Sequence, residues 1–362
     1  MAEIRPLRPE DIGDVAQLFQ TVFRDPASAP PPGLVSYLRR LYLEMPGFEP
    51  EVHSLVHEDD AGAITGFIGV NMLRMRYRER SLLAAVCGSL MVKDHEAAPM
   101  AGARLLRAAL AGPQDLTLSG TANAVSTRMW CSLRSVTLPF YSLDWTRIIR
   151  PASFAADKAA RTVKAARFIM PVARGIDHIL RRHTALVPAR QGSLSASQIG
   201  REQFAALVEP LTRHYTIRPD WADGQLDAIL ADAERKSLYG EVVFCQATTT
   251  AGVPVGAFLY HLRPGGVARV LQVLARPGQA GAVLDCLTYD AARRGAIGLR
   301  GRTQPALVEV MYGRRMFFTY PPATSVVHSR EAALVEACRA GDIFFNGLVG
   351  EDWSRLMGDR FD

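Results

Sequence analysis

The chain has 362 residues, of which 48% are hydrophobic and 22% are charged, with Gly 29 and Pro 22 close to ordinary globular usage. This composition excludes a disordered, collagenous or fibrous chain, and the length predicts two domains. No apolar run reaches the roughly 18 residues of a membrane span, and residues 1–6 contain no apolar signal region, so we expect a cytoplasmic protein without a span.

The cysteines and histidines give no sign of a metal site. The five cysteines are odd in number, scattered and never in a C-x-x-C pair: Cys87, Cys131, Cys245, Cys286 and Cys338. This pattern predicts neither a disulfide framework nor a thiolate site, and we expect reduced core thiols. The histidines form no H-E-x-x-H motif, so we predict no metal.

Positive charge is concentrated in one segment. Residues 147–190 carry ten Lys or Arg against only Asp157 and Asp177, a surplus of eight, whereas the net charge of the whole chain is +6. The remainder is slightly acidic, so the sequence predicts no nucleic-acid partner, which would require a basic surface spread over a domain face.

The first 150 residues alternate helical and strand-like patterns. Their order is a strand, two helices, three strands, a helix, a strand, a helix and two strands. The strand-like runs after the second helix are 52–57, 64–75, 82–92, 116–119, 136–141 and 144–149, and the helical runs among them are 100–110 and 123–133. This order predicts a mixed sheet with an antiparallel meander.

The second half repeats this order. Three short matches recur at nearly constant offset: Ala61-Gly62-x3-Gly66 with Ala251-Gly252-x3-Gly256, Ala101-Gly102-Ala103 with Ala280-Gly281-Ala282, and Leu118-Ser119-Gly120 with Leu299-Arg300-Gly301. They predict a duplicated α/β domain. We therefore predict an N-terminal domain 1–150, a basic amphipathic linker helix 151–190 and a C-terminal domain 191–362.

The linker has one apolar helical face, formed by Phe168, Val172, Ile176, Ile179 and Leu180. One interpretation is a helix that packs between the domains with a solvated basic face. The other is peripheral attachment to an anionic membrane or carrier partner.

The connection between 82–92 and 100–110 is a candidate anion site. The N–H groups of a first helical turn have no partner within the helix, and the helix dipole places partial positive charge there, so a pyrophosphate can bind to the backbone. Lys93, Arg104 and Arg107 add positive charge nearby.

This segment resembles the acyl-CoA loop of the GCN5-related N-acetyltransferase (GNAT) superfamily, which has the pattern R/Q-x-x-G-x-G/A followed by two residues and Leu-Leu. With Leu105 and Leu106 on the leucines, only Gly102 matches a signature position. The resemblance implies two tandem GNAT-like domains and binding of acetyl-CoA or another acyl-CoA. It places the cofactor on Leu90, Met91, Val92, Ala97, Ala98, Met100, Ala101, Gly102, Ala103, Arg104 and Asn123.

A second match follows the next strand. Asn123-x-x-Ser126-x-x-Met129-Trp130 is similar to the GNAT element N-x-x-A-x-x-L-Y, in which Asn caps a helix and Tyr faces the leaving sulfur. Trp130 replaces that Tyr, and an indole N–H is not a proton source at neutral pH. Tyr141 is the nearest other candidate, with core packing as its alternative role.

The resemblance also implies the mechanism. A deprotonated amine attacks the thioester, and a backbone N–H at a bulge on the fourth strand stabilises the oxyanion. Gly88 and Ser89 lie where that bulge is expected. Residues 82–92 contain no carboxylate, so no general base is assigned; Glu51, Asp59 and Asp60 fit solvated turn positions better.

The remaining segments are expected to be structural. The loop before the second copy's helix is shorter and the Asn cap is lost, so copy two is expected to support the fold or shape the acceptor pocket. The tail from Gly341 to Trp353 resembles the ending of two-domain GNAT proteins and is expected to pack.

The resemblance thus implies an acyl-CoA-dependent N-acyltransferase, with N-acetylation as the expected chemistry. We expect it to act on an amine of a small molecule or a cell-envelope acceptor. We expect a monomer or homodimer. A Fem-type aminoacyl transferase that uses charged tRNA is one alternative, although its helical arm is not evident in the sequence. A catalytically inactive GNAT-like binding protein is the other.

Overall fold

The computed structural model describes residues 2–49, 51–94, 96, 98–162, 170–180 and 192–361. The first half contains β1 (Glu3–Pro6), α1 (Ile12–Phe23), α2 (Pro32–Leu43), β2 (Leu55–Glu58), β3 (Ile64–Tyr77), β4 (Arg80–Val92), α3 (Ala101–Leu110), β5 (Leu116–Ala122), α4 (Ala124–Ser132), β6 (Val136–Thr137), α5 (Pro139–Ser142) and β7 (Asp144–Ile148). This order matches the sequence prediction except at 136–141, where Pro139 begins a short helix after a two-residue strand.

Two helices follow and then the second half. They are α6 (Pro151–Thr162) and α7 (Met170–Leu180). The second half contains β8 (Ser195–Gln198), α8 (Arg201–Thr212), β9 (Ile217–Pro219), α9 (Gln225–Glu234), β10 (Glu241–Thr248), β11 (Pro254–Leu262), β12 (Val267–Ala275), α10 (Ala280–Arg293), β13 (Gly298–Arg302), α11 (Pro305–Tyr312), β14 (Met316–Thr319), β15 (Thr324–His328) and α12 (Ala332–Arg339).

The strands form two mixed, mostly antiparallel sheets, which confirms the predicted fold class. The first sheet has the order β1-β2-β3-β4-β5-β15-β6, with β9 on β3, and the second has the order β14-β7-β13-β12-β11-β10-β8. In each sheet one pair is parallel, β4 with β5 and β12 with β13. The three sequence repeats fall on equivalent elements, namely the starts of β3 and β11, α3 and α10, and β5 and β13.

The sheets exchange strands between the two halves of the chain. Strand β7 belongs to the second sheet, whereas β9 and β15 return to the first. The larger hydrophobic core accordingly contains residues from both halves, including Phe67, Phe204 and Phe345. The predicted boundaries 1–150, 151–190 and 191–362 remain a prediction for domains, but the sheets do not follow them.

The linker differs from the first of its two predicted arrangements, a helix that packs between the domains. Val172, Ile176 and Ile179, expected to pack, are exposed, while Asp177 on another face of α7 is buried. The reason is that the Asp177 carboxylate accepts hydrogen bonds of 2.9 Å from the N–H groups of Ala152 and Ser153 at the start of α6. Satisfying those two donors fixes the rotation of α7. Phe168 and the basic residues at 181, 182 and 190 lie outside the described residues.

Two further findings concern the helices and the cysteines. Among the described residues, no helix is long and apolar enough to cross a membrane. All five cysteines are unpaired, and four are buried, but Cys131 is exposed on α4 and is therefore not the core thiol we expected.

Candidate active site

A cavity of about 410 Å³ lies where β4 and β5 separate. Their parallel pairing runs from Ala84–Leu116 to Val86–Leu118, although β4 continues to Val92 and β5 to Ala122. We call this the first cavity. Helices α1 and α2, β4, β5, α4 and the C-terminal tail all contribute to its wall, through Phe19, Phe23, Tyr42, Cys87, Gly88, Ser89, Leu90, Ser119, Thr121, Asn123, Ser126, Trp130, Tyr239, Glu351 and Met357 among others.

Strand β4 has a bulge beside this cavity. Phe67 on β3 is opposite Met91, but Gly69 is opposite Gly88, so β4 carries one extra residue between them. Ser89 has a left-handed backbone with φ of +52°, which is unusual for a residue with a side chain. A bulge of this kind re-aims main-chain groups out of the regular ladder. It lies where the sequence places Gly88 and Ser89.

The tail brings a carboxylate to the same place. Glu351 is buried, and its Oε2 accepts a 2.7 Å hydrogen bond from the Gly120 N–H while its Oε1 accepts one of 2.5 Å from the Thr121 hydroxyl. The Ser119 hydroxyl lies 3.3 Å from Oε2. A Cβ on Gly88 would be 2.5 Å from Oε1, so only glycine leaves room for this carboxylate beside the bulge.

The environment of Glu351 raises the pKa of its carboxyl group, so that the group exchanges a proton near neutral pH. Burial raises the pKa of the carboxyl group to about 7, and the nearby Asp352 adds to the rise, while the hydrogen bonds from Thr121 and Gly120 oppose it. A group with this pKa accepts and releases a proton readily at physiological pH. The sequence did not assign Glu351, because nothing in the tail indicates its contact with β5.

Tyr42 is another side chain of the first cavity that sequence reasoning missed. Its hydroxyl donates a 3.1 Å hydrogen bond to Ser89 Oγ, and its ring crosses β3 over Gly69, where a Cβ would be only 2.4 Å from the ring. Burial raises the pKa of Tyr42 well above its ordinary value, so the phenol stays protonated. In the sequence, this contact is marked only by the glycine at position 69, which leaves room for the Tyr42 ring.

Asn123 and Trp130 occupy the predicted positions on α4. The Asn123 side chain accepts a 2.9 Å hydrogen bond from the Ser126 N–H and caps the helix, as the motif implies. Trp130 is buried, and both side chains line the first cavity.

Tyr141 lies elsewhere. It is absent from the described cavity wall, its hydroxyl donates a 2.7 Å hydrogen bond to the Ile343 carbonyl, and its ring packs on Phe345. Burial also raises its pKa well above the ordinary value. The geometry therefore favours the packing alternative over proton donation.

The predicted acyl-CoA loop is partly described. Leu90 lines the first cavity, Met91 and Val92 are buried at the end of β4, and Ala98, Met100, Ala101, Ala103 and Arg104 lead into α3 or lie on its first turn, whereas Ala97 lies outside the described residues. Gly102 is buried, and a Cβ there would contact Val92 and Met129 at 3.5 to 3.6 Å. The N–H groups of Gly102 and Ala103 have no acceptor within the described ranges. These two donors next to the end of β4 fit a diphosphate.

The second copy lacks this arrangement. Only residues 276–279 separate β12 from α10, and the Arg314 guanidinium lies over Gly281, 2.3 Å from where its Cβ would be. Arg314 also pairs with Asp285 at 2.9 Å. The Arg314 guanidinium occupies the space at the start of α10 in which a diphosphate would have to bind. This supports the expected structural role of copy two.

Metal ligands do not cluster in the parts of the chain that are described, since no group of three His, Cys, Asp or Glu side chains could hold an ion there. Asp59 instead caps its own turn by accepting hydrogen bonds from the Ala61 and Ala63 N–H groups. Burial raises the pKa of the Cys87 thiol, which is consistent with a core residue.

Comparison with known proteins identifies the architecture. No protein-family model matches the chain, and no curated protein matches it in sequence. Three crystal structures each cover 91% of this chain: a GCN5-related N-acetyltransferase from Anabaena variabilis (TM-score 0.60, 9% identity, 73% of that chain), a probable N-acyltransferase from Enterococcus faecalis V583 (0.58, 8%, 73%) and a GCN5-related N-acetyltransferase from Kribbella flavida (0.53, 11%, 71%). The chain therefore shares the fold of these GCN5-related N-acetyltransferase structures.

Proposed function

We propose that this protein is an N-acyltransferase that moves an acyl group from acyl-CoA to an amine, with Glu351 as the general base. The observation that carries the proposal is the Glu351 carboxylate, buried beside the β4 bulge in the first cavity. A thioester supplies an activated acyl group and a thiolate leaving group. The residues around the cavity bind it, orient the amine and move its proton.

The separation of β4 from β5 provides room for the extended arm of acyl-CoA. The Gly102 and Ala103 N–H groups at the start of α3 bind its diphosphate, and Trp130 and Asn123 form the wall on the α4 side. Main-chain N–H groups at the bulge around Ser89 stabilise negative charge that develops on the carbonyl oxygen.

Glu351 takes the proton that an amine carries at neutral pH. Its hydrogen bonds to Gly120 and Thr121 hold the carboxylate in place, and burial adjusts its proton affinity to the task. Overall a C–N bond forms and a C–S bond breaks, and the amine loses two protons, one of which leaves on the CoA thiol. Tyr42 is too weak an acid to protonate a thiolate and instead positions Ser89.

Release of free thiol from acetyl-CoA against a panel of amines tests this proposal. We expect turnover by the wild type, a loss of at least about 100-fold in Glu351→Gln and no change in Glu336→Gln, an exposed carboxylate on α12. Stabilisation by CoA should remain in all three. A Glu351→Gln variant that turns over at the wild-type rate would contradict the role of Glu351.

One observation favours the Fem-type alternative. Helices α6 and α7 pack against each other and lie in chain order between β7 and β8, which both belong to the second sheet. A helical arm inserted in a domain is what that resemblance implies. Thermal stabilisation by aminoacylated tRNA, with none by CoA, would favour an aminoacyl transferase. Stabilisation by CoA alone would favour the acyltransferase.

A further inference from the structure

A second cavity of about 210 Å³ adjoins the first. It lies where β12 and β13 separate, since their parallel pairing ends at Val270 and Gly301 while β12 continues to Ala275. The two cavities share Tyr239 and Met357 in their walls, so they are neighbours across these two side chains. We refer to it as the second cavity.

Cations dominate the wall of the second cavity. Lys236, Arg269, Arg300 and Arg302 line it, against the carboxylates of Asp144 and Asp352. Arg300 is neutralised by Asp144 at 2.5 Å. Arg302 donates instead to main-chain carbonyl oxygens, at 2.6 Å to that of Gly120, so its charge is not cancelled. The wall therefore carries more positive than negative charge after pairing.

Arg269 provides an accessible cation. Its side chain is exposed and stacks on the Tyr239 ring, 4.3 Å from the ring centre. Asp144 of the same cavity wall pairs with Arg300 and not with Arg269. Stacking on an aromatic ring holds the guanidinium in place while leaving its N–H groups available for a planar anion.

Lys236 provides a buried donor. Only 1% of its surface is exposed, and its Nζ donates a 2.6 Å hydrogen bond to the Ser354 carbonyl and another to the Met357 carbonyl. An ammonium group has three hydrogens, so one remains for a ligand. An ammonium held at this depth favours an anion beside it, because charge is costly to bury alone.

We propose that the second cavity binds a carboxylate or phosphate group of the amine acceptor, with Arg269 as the main contact. This inference rests on the proposed function. The acceptor's ammonium group then lies toward Glu351 in the first cavity and its anionic group lies in the second, so the acceptor is a small zwitterionic amine. A cation-lined cavity beside the one that holds the Glu351 carboxyl group selects for such a molecule over a neutral amine.

Acetyl transfer to three amines of similar length tests the inference: O-phosphoethanolamine, β-alanine and neutral ethanolamine. We expect the wild type to have a KM at least about tenfold lower for one or both anionic amines than for ethanolamine. Arg269→Gln should raise that KM about tenfold, with kcat and the KM for ethanolamine unchanged. Arg276→Gln, an exposed arginine outside both cavities, is the matched control and should behave as the wild type.

The preferred anionic amine decides between phosphate and carboxylate. Equal KM values for all three amines, or an equal rise for all three in Arg269→Gln, would overturn the inference. If no amine is acetylated, the proposed function fails and calorimetric titration with inorganic phosphate tests the cavity alone. Phosphate that binds the wild type and Arg276→Gln about tenfold more tightly than Arg269→Gln would support an anion site, and equal or absent binding would overturn it.

Discussion

At the scale of single residues, Glu351 connects stability to pH. Burial raises the pKa of its carboxyl group from 4.5 to about 7, so between these values the folded protein holds a proton that the unfolded chain has released. The stabilisation is complete below about pH 4.5 and is lost as the pH rises through 7. We expect the denaturation midpoint of the wild type to fall across this range and that of Glu351→Gln to fall less. An identical fall in both would contradict the assigned pKa.

The close packing of Gly69 against Tyr42 allows a second prediction at this scale. A Cβ at this position would lie 2.4 to 2.5 Å from the Tyr42 ring, so Gly69→Ala should destabilise the fold by about 1–3 kcal/mol and displace the partner of Ser89. Gly13→Ala is the control, since its Cβ meets nothing within 4 Å and alanine in α1 should stabilise by about 0.5–1 kcal/mol. Urea denaturation of both variants measures the difference in their free energies of unfolding. A Gly69→Ala variant as stable as the wild type would show that the Tyr42 ring does not pack over Gly69.

The residues that the sequence could place are those whose signal is local. The Asn123 cap and Trp130 on α4 follow from a short motif, and the bulge at Gly88 and Ser89 follows from the resemblance to GNAT proteins. Glu351 reaches Gly120 across 231 positions of the chain, and that contact depends on tertiary packing of the tail. No local pattern encodes such a contact, so Glu351 could not be proposed as a general base from the sequence.

At the scale of elements, the start of α3 allows a test of CoA binding that does not harm the fold. An acidic residue in a first helical turn interacts favourably with the helix dipole but repels a diphosphate. Ala103→Asp should therefore leave the melting temperature unchanged or higher and weaken CoA binding by about tenfold or more. Ala103→Ser is the neutral control, and calorimetry with CoA is the measurement. Unchanged affinity of Ala103→Asp for CoA would show that the diphosphate does not bind at this turn.

The linker illustrates what periodicity leaves undetermined. Apolar spacing located a helix over α7, but the face that packs was decided by Asp177, which satisfies two N–H donors of α6. A buried main-chain donor left without a partner costs about 1–3 kcal/mol. Hydrophobic periodicity predicts a helix and its apolar face. In α7, hydrogen bonds to the neighbouring helix α6 determine which face packs.

At the scale of the whole molecule, the exchanged strands join the two halves. Strand β5 lies between β4 and β15, and β7 lies between β13 and β14, so each sheet needs strands from both halves. The order of elements along the chain predicted a duplication but not this exchange of strands. Nothing in the sequences of β7 and β15 indicates which sheet each strand joins.

The exchange predicts one cooperative unfolding transition. Far-UV and near-UV circular dichroism should give coincident denaturation curves. A fragment of residues 1–150 should not fold alone, because it lacks β15, β9 and the tail that carries Glu351. A soluble 1–150 fragment with dispersed amide resonances would contradict this prediction.

The most direct test of the account is the pH dependence of kcat/KM for acetyl transfer. The wild type should rise to a plateau with an apparent pKa of about 7, which reports deprotonation of Glu351 in the free enzyme. Glu351→Gln should lose about 10² to 10⁴ in kcat/KM and the inflection near pH 7. A Glu351→Gln variant that keeps both the rate and the inflection of the wild type would contradict the central claim.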